Sequence, residues 1–277
     1  MTLWPALDVR AVSDPDLVLA AVDDFQPAGA EERGDALRVF FASATARNAA
    51  AASLGSVATP IDVDDEDWAR RSQLNLEPTT VGRITVVPDP VFLVQNPALP
   101  VSDSSTISIV IRPSMGFGTG HHATTRLCLK ALQTIDLSGA VVLDVGTGSG
   151  ILAVAAGRLG AACVLGLDVD PDAIQAAHEN LRLNSSRNVQ LAVVDLMAFP
   201  LPQVDVVVAN LTGALIGRAA PSLWAAVKPG GTLIVSGILH DEEAAVRSVF
   251  ADGKVRYHEQ EGEWVCLTFN RGLSRLV

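Results

Sequence analysis

Asp144, Asp168, Asp195 and Asn210 are polar side chains that each follow a short apolar run: Val141-Val142-Leu143, Cys163 to Leu167, Val193-Val194, and Val206 to Ala209. Between the first two runs lies Asp144-Val145-Gly146-Thr147-Gly148-Ser149-Gly150, followed by the helix-like stretch Ile151 to Leu159. That order reads strand, glycine-rich turn, helix, second strand, carboxylate. Glycines let the backbone approach a ligand closely, and a helix start offers free N–H groups beside them. A carboxylate closing the second strand can accept both hydroxyls of a ribose. The pattern therefore implies a ribose-bearing cofactor held by Gly146, Gly148 and Asp168, the alternative being a tight strand-to-helix turn with no ligand.

The glycine spacing bears on which cofactor. The dinucleotide fingerprint is G-x-G-x-x-G, whereas the glycines here fall at 146, 148 and 150, with Ile at 151. A diphosphate needs amides and a helix dipole aimed at negative charge. S-adenosylmethionine carries no phosphate and is positive at sulfur, so a carboxylate such as Asp144 suits its amino-acid end. A nicotinamide-dependent oxidoreductase is the rival on this point. Asp195 could accept the adenine amino group, or it could be a loop carboxylate or helix cap. Asn210, an amide directly after four apolar residues, could hold an attacking amine. The segment Gly116 to Thr125 has three glycines and three threonines. It could close over the cofactor with Phe117 packing nearby and Thr125 donating a hydrogen bond, or be an ordinary helix start capped near Thr124 or Thr125.

The elements that must position these residues follow from about residue 105. Strand-like runs (107–111, 141–145, 163–167, 189–194, 204–209, 231–236) alternate with helix-like runs (122–135, 149–159, 171–184, 214–227, 241–250), which implies a parallel sheet wound on both faces. Runs near 254–259 and 264–269 flank Glu261-Gly262-Glu263 and read as a hairpin, placing an antiparallel strand at the end of the sheet. Residues 1–64 read differently. A strand at 7–11, a helix with Asp14 as N-cap and Pro15 in its first turn, a strand at 37–41, a helix at 45–54 ended by Gly55 and a strand at 57–63 fit a small α+β domain of the ferredoxin-like kind. Between them, 65–104 is proline-rich and reads as a linker with an extended segment at Arg83 to Val87. The expected domains are thus 1–64, a linker 65–104, and 105–277.

Composition narrows the classes. The chain has 277 residues, 49% of them hydrophobic, and a net charge of −11. That charge argues against a general nucleic-acid or anionic-membrane surface, and no direct sequence-specific nucleic-acid binding is expected. Asp62, Asp64, Asp65, Glu66 and Asp67 form an acidic run, read either as a solvated loop or as a face for a cationic protein substrate. Cys128, Cys163 and Cys266 lack C-x-x-C spacing, so neither a disulfide framework nor a zinc site is implied. His121 and His122 are adjacent rather than i, i+4, and neither H-E-x-x-H nor G-x-S-x-G occurs. The N-terminus lacks a signal-peptide pattern, no apolar segment reaches spanning length, and a cytoplasmic protein is expected. Asn210-Leu211-Thr212-Gly213 lacks the aromatic residue that grips a flipped base, which counts against base methylation.

On these residues the chain resembles the PrmA-type protein methyltransferases, bacterial enzymes that methylate large-subunit ribosomal protein number eleven on lysine and N-terminal amines. The resemblance is carried by Phe117 to Thr125, Asp144 to Leu152, Asp168 and Val207 to Leu211. Ser236 to Leu239, Glu263-Trp264, Asp67-Trp68 and Arg83 to Pro88 extend it. It implies a class I S-adenosylmethionine-dependent methyltransferase fold, a substrate-recognition N-terminal domain, a basic ribosomal protein partner, and cofactor contacts from Thr125, Gly146, Asp168 and Asn210. The chain departs from the family pattern at His121, Ala123, Gly213 and Arg112, and it lacks a Trp after Pro88. A same-fold methyltransferase acting on another protein or a small molecule is the alternative.

Overall fold

The computed structural model describes residues 3–10, 12, 15–34, 36–64, 77–90, 92, 106–112 and 120–273. The chain divides into two compact units, Met1–Leu76 with Ser114–Phe117, and Glu77–Pro113 with Gly118–Val277.

In the first unit, β1 (Leu3–Arg10), α1 (Pro15–Val22), β2 (Pro27–Arg33), β3 (Ala36–Phe41), α2 (Ala44–Leu54) and β4 (Ala58–Asp64) follow in order. The four strands lie β2-β3-β1-β4 and the pairs are antiparallel. This is the ferredoxin-like arrangement. Alternation along β1 and β3 sends Leu7, Val9, Leu37, Val39 and Phe41 into one core with Val22 and Ala50 from the helices. Pro15 opens α1 as expected, and Asp14 lies outside the described residues. Ser43 caps α2 by accepting the Ala46 N–H at 3.2 Å. The strand β2 was not expected, and it forms an edge of the sheet.

The second unit begins with β5 (Thr79–Val81), β6 (Ile84–Val87) and β7 (Ile107–Val110), which form a three-stranded sheet of their own. The run at 107–111 therefore does not join the large sheet, contrary to the alternating pattern from residue 105. Gln133 stitches the β5–β6 turn in place: its Oε1 accepts the Arg83 N–H at 2.8 Å and its Nε2 donates to the Val81 carbonyl at 2.9 Å.

The rest builds the large sheet. In chain order come α3 (Ala123–Leu132), β8 (Val141–Val145), α4 (Ile151–Arg158), β9 (Cys163–Asp168), α5 (Pro171–Leu183), β10 (Val189–Val193) and β11 (Val204–Asn210). Then follow α6 (Gly213–Ala226), β12 (Val227–Leu239), α7 (Glu243–Val249), β13 (Gly253–Glu261) and β14 (Trp264–Arg271). Spatially the strands run β10-β9-β8-β11-β12-β14-β13. The first five are mutually parallel, and β14 is antiparallel to both of its neighbours. The expected hairpin thus supplies the antiparallel strand. Central strands are buried on both faces: Val142, Leu143, Val207, Val208, Leu233 and Ile234 are at most 1% exposed, which is why they read as apolar runs rather than alternations. On one face α6 and α7 contribute Ile216, Ala219, Leu223 and Val246 to the core, with Phe250 just past the end of α7. Among the described residues no helix is long and apolar enough to cross a membrane.

Candidate active site

The order of strands reverses between β8 and β11, and ligands of open parallel sheets bind at the carboxyl ends there. The sequence places its conspicuous polar residues along this edge.

The turn after β8 is tied to the end of β9 by backbone. Gly146 and Thr147 both donate to the Leu167 carbonyl, at 2.8 and 2.9 Å. Gly148 donates its N–H to Asp168 Oδ2 at 2.9 Å, and Asp170 donates its N–H to Asp168 Oδ1 at 3.1 Å. Each carboxylate oxygen keeps a further lone pair, so Asp168 stays able to receive two ribose hydroxyls. Gly146 has φ +72°, and a Cβ there would lie 2.4 Å from Leu211 Cδ2. Gly150 has φ +79°, and a Cβ there would lie 3.1 Å from Ala177 Cβ of α5. These two glycines thus serve backbone conformation and close approach together.

Asp144 is 1% exposed. Its Oδ2 accepts the Thr147 hydroxyl at 2.7 Å, while Oδ1 is buried without a hydrogen-bond partner among the described residues. Burial pushes its pKa up to about 7; the Thr147 hydroxyl opposes the rise, the Asp168 charge adds to it, and the Ala153 backbone N–H, too far for a full hydrogen bond, opposes it more weakly. A buried acceptor with nothing to accept is expensive. It would be satisfied by a cationic ammonium such as the one S-adenosylmethionine carries, so the residues present fit that cofactor.

Asn210 ends β11 opposite Ser236 of β12 and next to the Gly146 turn, with Ala209 paired to Val145. Its amide is half-buried and makes no hydrogen bond among the described residues. The strand end is held from the side: Leu211 donates its N–H to the Ser236 carbonyl at 3.0 Å. Gly237, with φ +81°, leaves no room for a side chain, because a Cβ there would sit 2.4 Å from the Leu211 carbonyl oxygen and 3.1 Å from Asn210 Oδ1. Thr212 then caps α6 by accepting the Leu215 N–H at 3.4 Å.

The other expected contacts sit less simply. Thr125 is 2% exposed in the first turn of α3. The cap of α3 is neither threonine: His122 Nδ1 accepts the Thr124 N–H at 3.3 Å, and its ring meets Trp264 edge-on at 5.0 Å. A Cβ at Gly120 would lie 3.2 Å from Ile151 Cδ1, so this segment borders the glycine-rich turn. Phe117 lies outside the described residues. Asp195 is exposed, and its Oδ1 accepts the Met197 N–H at 2.8 Å. It caps the turn after β10, and Val194 beside it donates its N–H to the Asp168 carbonyl at 2.8 Å.

Three residues at this edge escaped the sequence reading. Val169, next after Asp168, and Met197, two past Asp195, are 60% and 52% exposed. Such large exposed apolar side chains are suited to the faces of an adenine ring. The signal was an apolar residue just past a strand-end carboxylate. Asn180, 1% exposed, donates its Nδ2–H to the Ser149 carbonyl at 2.9 Å and accepts the Arg112 N–H at 2.9 Å. It fixes the glycine-rich turn from behind, and nothing in its sequence neighbourhood announced that.

If Asp168 holds the ribose, Asp168→Ala is expected to raise the cofactor Kd by about tenfold to a hundredfold, the cost of losing a charged acceptor. Calorimetric titration with S-adenosylhomocysteine checks this, and an unchanged Kd would remove the ribose role.

A seven-stranded sheet with this order and reversal, a glycine-rich turn after its first strand and an acid closing its second, is that of a class I S-adenosylmethionine-dependent methyltransferase. The sequence pattern of the ribosomal protein L11 methyltransferase (PrmA) family matches residues 32–272, and the chain belongs to that family. The L11 methyltransferase of Geobacter metallireducens is 42% identical over 210 residues, 75% of this chain and 67% of that protein. That of Deinococcus radiodurans is 39% identical over 257 residues, 88% of this chain and 90% of that protein. A crystal structure of the L11 methylase from Lactobacillus delbrueckii subsp. bulgaricus superposes with a TM-score of 0.63 at 28% identity, over 71% of this chain and all of that one.

Proposed function

We propose that this chain transfers methyl groups from S-adenosylmethionine to lysine and N-terminal amines of the basic ribosomal protein L11, in the cytoplasm. The observation that carries the chemistry is the half-buried amide of Asn210, without a hydrogen bond among the described residues, beside the Gly146 turn at the reversal of the sheet. The family's name supplies the substrate. When bound, the cofactor supplies a methyl group on a cationic sulfur, open to in-line displacement by nitrogen.

The chain's own residues must align and desolvate the nucleophile. An ammonium has no lone pair to attack with, so the amine loses its proton to water before transfer. The Asn210 amide oxygen then accepts one of the two remaining N–H groups and turns the nitrogen lone pair toward the place that the cofactor's methyl group would occupy. Asp144, Gly146, Gly148 and Asp168 hold the amino-acid and ribose ends of the cofactor, with Asp195 near the adenine. Thr125, in the first turn of α3, belongs to the segment that borders the glycine-rich turn.

We assign substrate recognition to residues 1–64, with the acidic run 62–67 that leads out of them as the face for a cationic partner. Asp62 of the acidic run is already paired with Arg47 at 2.6 Å, so charge for a cationic partner has to come from its neighbours in sequence. Asp65→Lys with Asp67→Lys is expected to raise KM for L11 by about tenfold, as removing attractive charge slows encounter, with kcat unchanged. The test is transfer of radiolabelled methyl from S-adenosylmethionine to total ribosomal protein. One labelled band at L11, weakened by the double variant, supports the reading. Label elsewhere, with L11 unmodified, moves the substrate to another protein.

A further inference from the structure

Strands β11 and β12 are parallel and leave the sheet side by side at its carboxyl edge, ending in Asn210 and Leu239. The segments beyond them interlock at two glycines. Asn210 Oδ1 lies 3.1 Å from the place a Cβ would take on Gly237. The Glu242 carboxylate lies against Gly213: a Cβ there would sit 2.5 Å from its Cδ, its Oε1 and its Oε2 alike. Gly213 opens α6 three residues after Asn210, a span of at most about 11 Å. The amide that aligns the attacking nitrogen and this carboxylate thus share one stretch of the catalytic edge.

Three observations give the carboxylate a task beyond the fold. First, the backbone does not need glycine at 213. The residue sits in the first turn of a helix without the positive φ of Gly146 or Gly237, where alanine would favour the helix. The missing side chain is what admits the carboxylate. Second, Glu242 gives only one oxygen to structure: Oε2 accepts the Leu239 N–H at 2.9 Å, and Oε1 has no hydrogen-bond partner among the described residues. Third, the cations nearby in sequence are committed elsewhere. His240, Arg247 and His258 all pair with Glu243, which leaves the half-buried charge of Glu242 without a counter-ion among the described residues.

We propose that Glu242 is a substrate-binding residue that draws the target amine, as its ammonium, to the edge beside Asn210. This rests on the reading above that the chain methylates amines. An ammonium carries three N–H donors and no acceptor, and it forms a charge-assisted hydrogen bond with the open carboxylate oxygen. The amine then sheds a proton to water and, once neutral, is held by Asn210. A neutral amine gains little from a carboxylate over an amide, so Glu242 acts on capture rather than on transfer. The target class it selects is a cationic primary amine.

Two variants test this from opposite sides. Glu242→Gln keeps an oxygen for the Leu239 N–H and removes the charge. Gly213→Ala keeps the charge and pushes the carboxylate off its seat, since only a flexible side chain opposes the new Cβ. Each is expected to raise KM for L11 by about tenfold, the usual cost of one charge-assisted hydrogen bond. Neither should lower kcat or change the Kd for S-adenosylhomocysteine, and the double variant should lose no more than either alone. A purely structural Glu242 would tolerate Gln. A second measurement is independent of L11: NMR titration of the chain filled with S-adenosylhomocysteine, using Nα-acetyl-lysine amide and its norleucine analogue, which lacks the ammonium. The lysine amide should bind about tenfold more tightly in the parent, and the preference should vanish in both variants. If the parent leaves L11 unmethylated, the substrate reading fails while the amide pair still decides the role of Glu242. A lysine preference that survives Glu242→Gln overturns the proposal, and so does a kcat that falls at constant KM.

Discussion

Replacing Asn210 by Ala is expected to lower kcat for methyl transfer by roughly a hundred- to a thousandfold, while the Kd for S-adenosylhomocysteine changes by less than about threefold. The magnitude follows from what the residue does. The target amine is a good nucleophile once neutral, so the enzyme's contribution is alignment, and losing the aligning group costs what misplacement costs. The split between kcat and cofactor affinity follows from where Asn210 sits. The turn from Gly146 to Gly150 is fixed by hydrogen bonds to Leu167, Asp168 and Asn180, and none of these bonds involves the Asn210 side chain. Removing the amide therefore leaves the cofactor cradle standing. Asn210→Asp is the sharper companion. It keeps the acceptor but adds a charge that holds the amine as ammonium, so its kcat should recover only as pH rises. A variant that binds cofactor normally and turns over normally would remove Asn210 from the mechanism.

What could be read beforehand, and what could not, divides along a physical line. The β8–α4–β9 unit was legible because strands buried on both faces must be apolar throughout, and the turn between them needs glycine for backbone reasons that no other residue meets. Strand β2 was invisible. Pro27 to Arg33 reads PAGAEER, and an edge strand, paired only to β3 with a register shift near Pro27, is under little pressure to alternate. Strand β6 was legible as the extended segment at Arg83 to Val87, while its partner β5 hid among prolines that suggested a linker. Their pairing depends on β7, some twenty residues on, and on Gln133 from α3. In the site, carboxylates at strand ends were visible because their positions along the sheet edge follow from topology. Asn180 was not, since its value lies in reaching both Ser149 and Arg112. The start of α3 near Thr124 was legible, but not that the accepting group there is the His122 ring, because a threonine hydroxyl is the commoner acceptor.

The buried Asp144 carboxyl makes both stability and cofactor affinity depend on pH, in opposite senses. Its pKa of about 7 in the folded chain compares with 3.8 for the unperturbed group. Below pH 4 the group is protonated whether the chain is folded or not, and it costs nothing. Between pH 4 and 7 the unfolded chain releases the proton and the folded chain keeps it, so folded stability falls as pH rises. The fall approaches 1.4 kcal/mol per unit and totals about 4 kcal/mol. Above pH 7 the group is ionised in both states and the loss is constant. Asp144→Asn should therefore be less sensitive to pH than the parent across that window in denaturant titrations of the cofactor-free protein. The comparison between the two removes the contributions of Asp205, Glu243 and Glu259, whose pKa values are shifted downward. Cofactor affinity should run the other way. The ammonium of S-adenosylmethionine pairs with the ionised carboxylate, so affinity is greatest above pH 7 and weakens by up to about tenfold for each unit below it. A cofactor Kd that stays flat between pH 5.5 and 7.5 would mean that the amino-acid end of the ligand lies elsewhere. A Kd that steepens through about 7 in the parent and not in Asp144→Asn would place it on the buried Oδ1, which has no hydrogen-bond partner among the described residues.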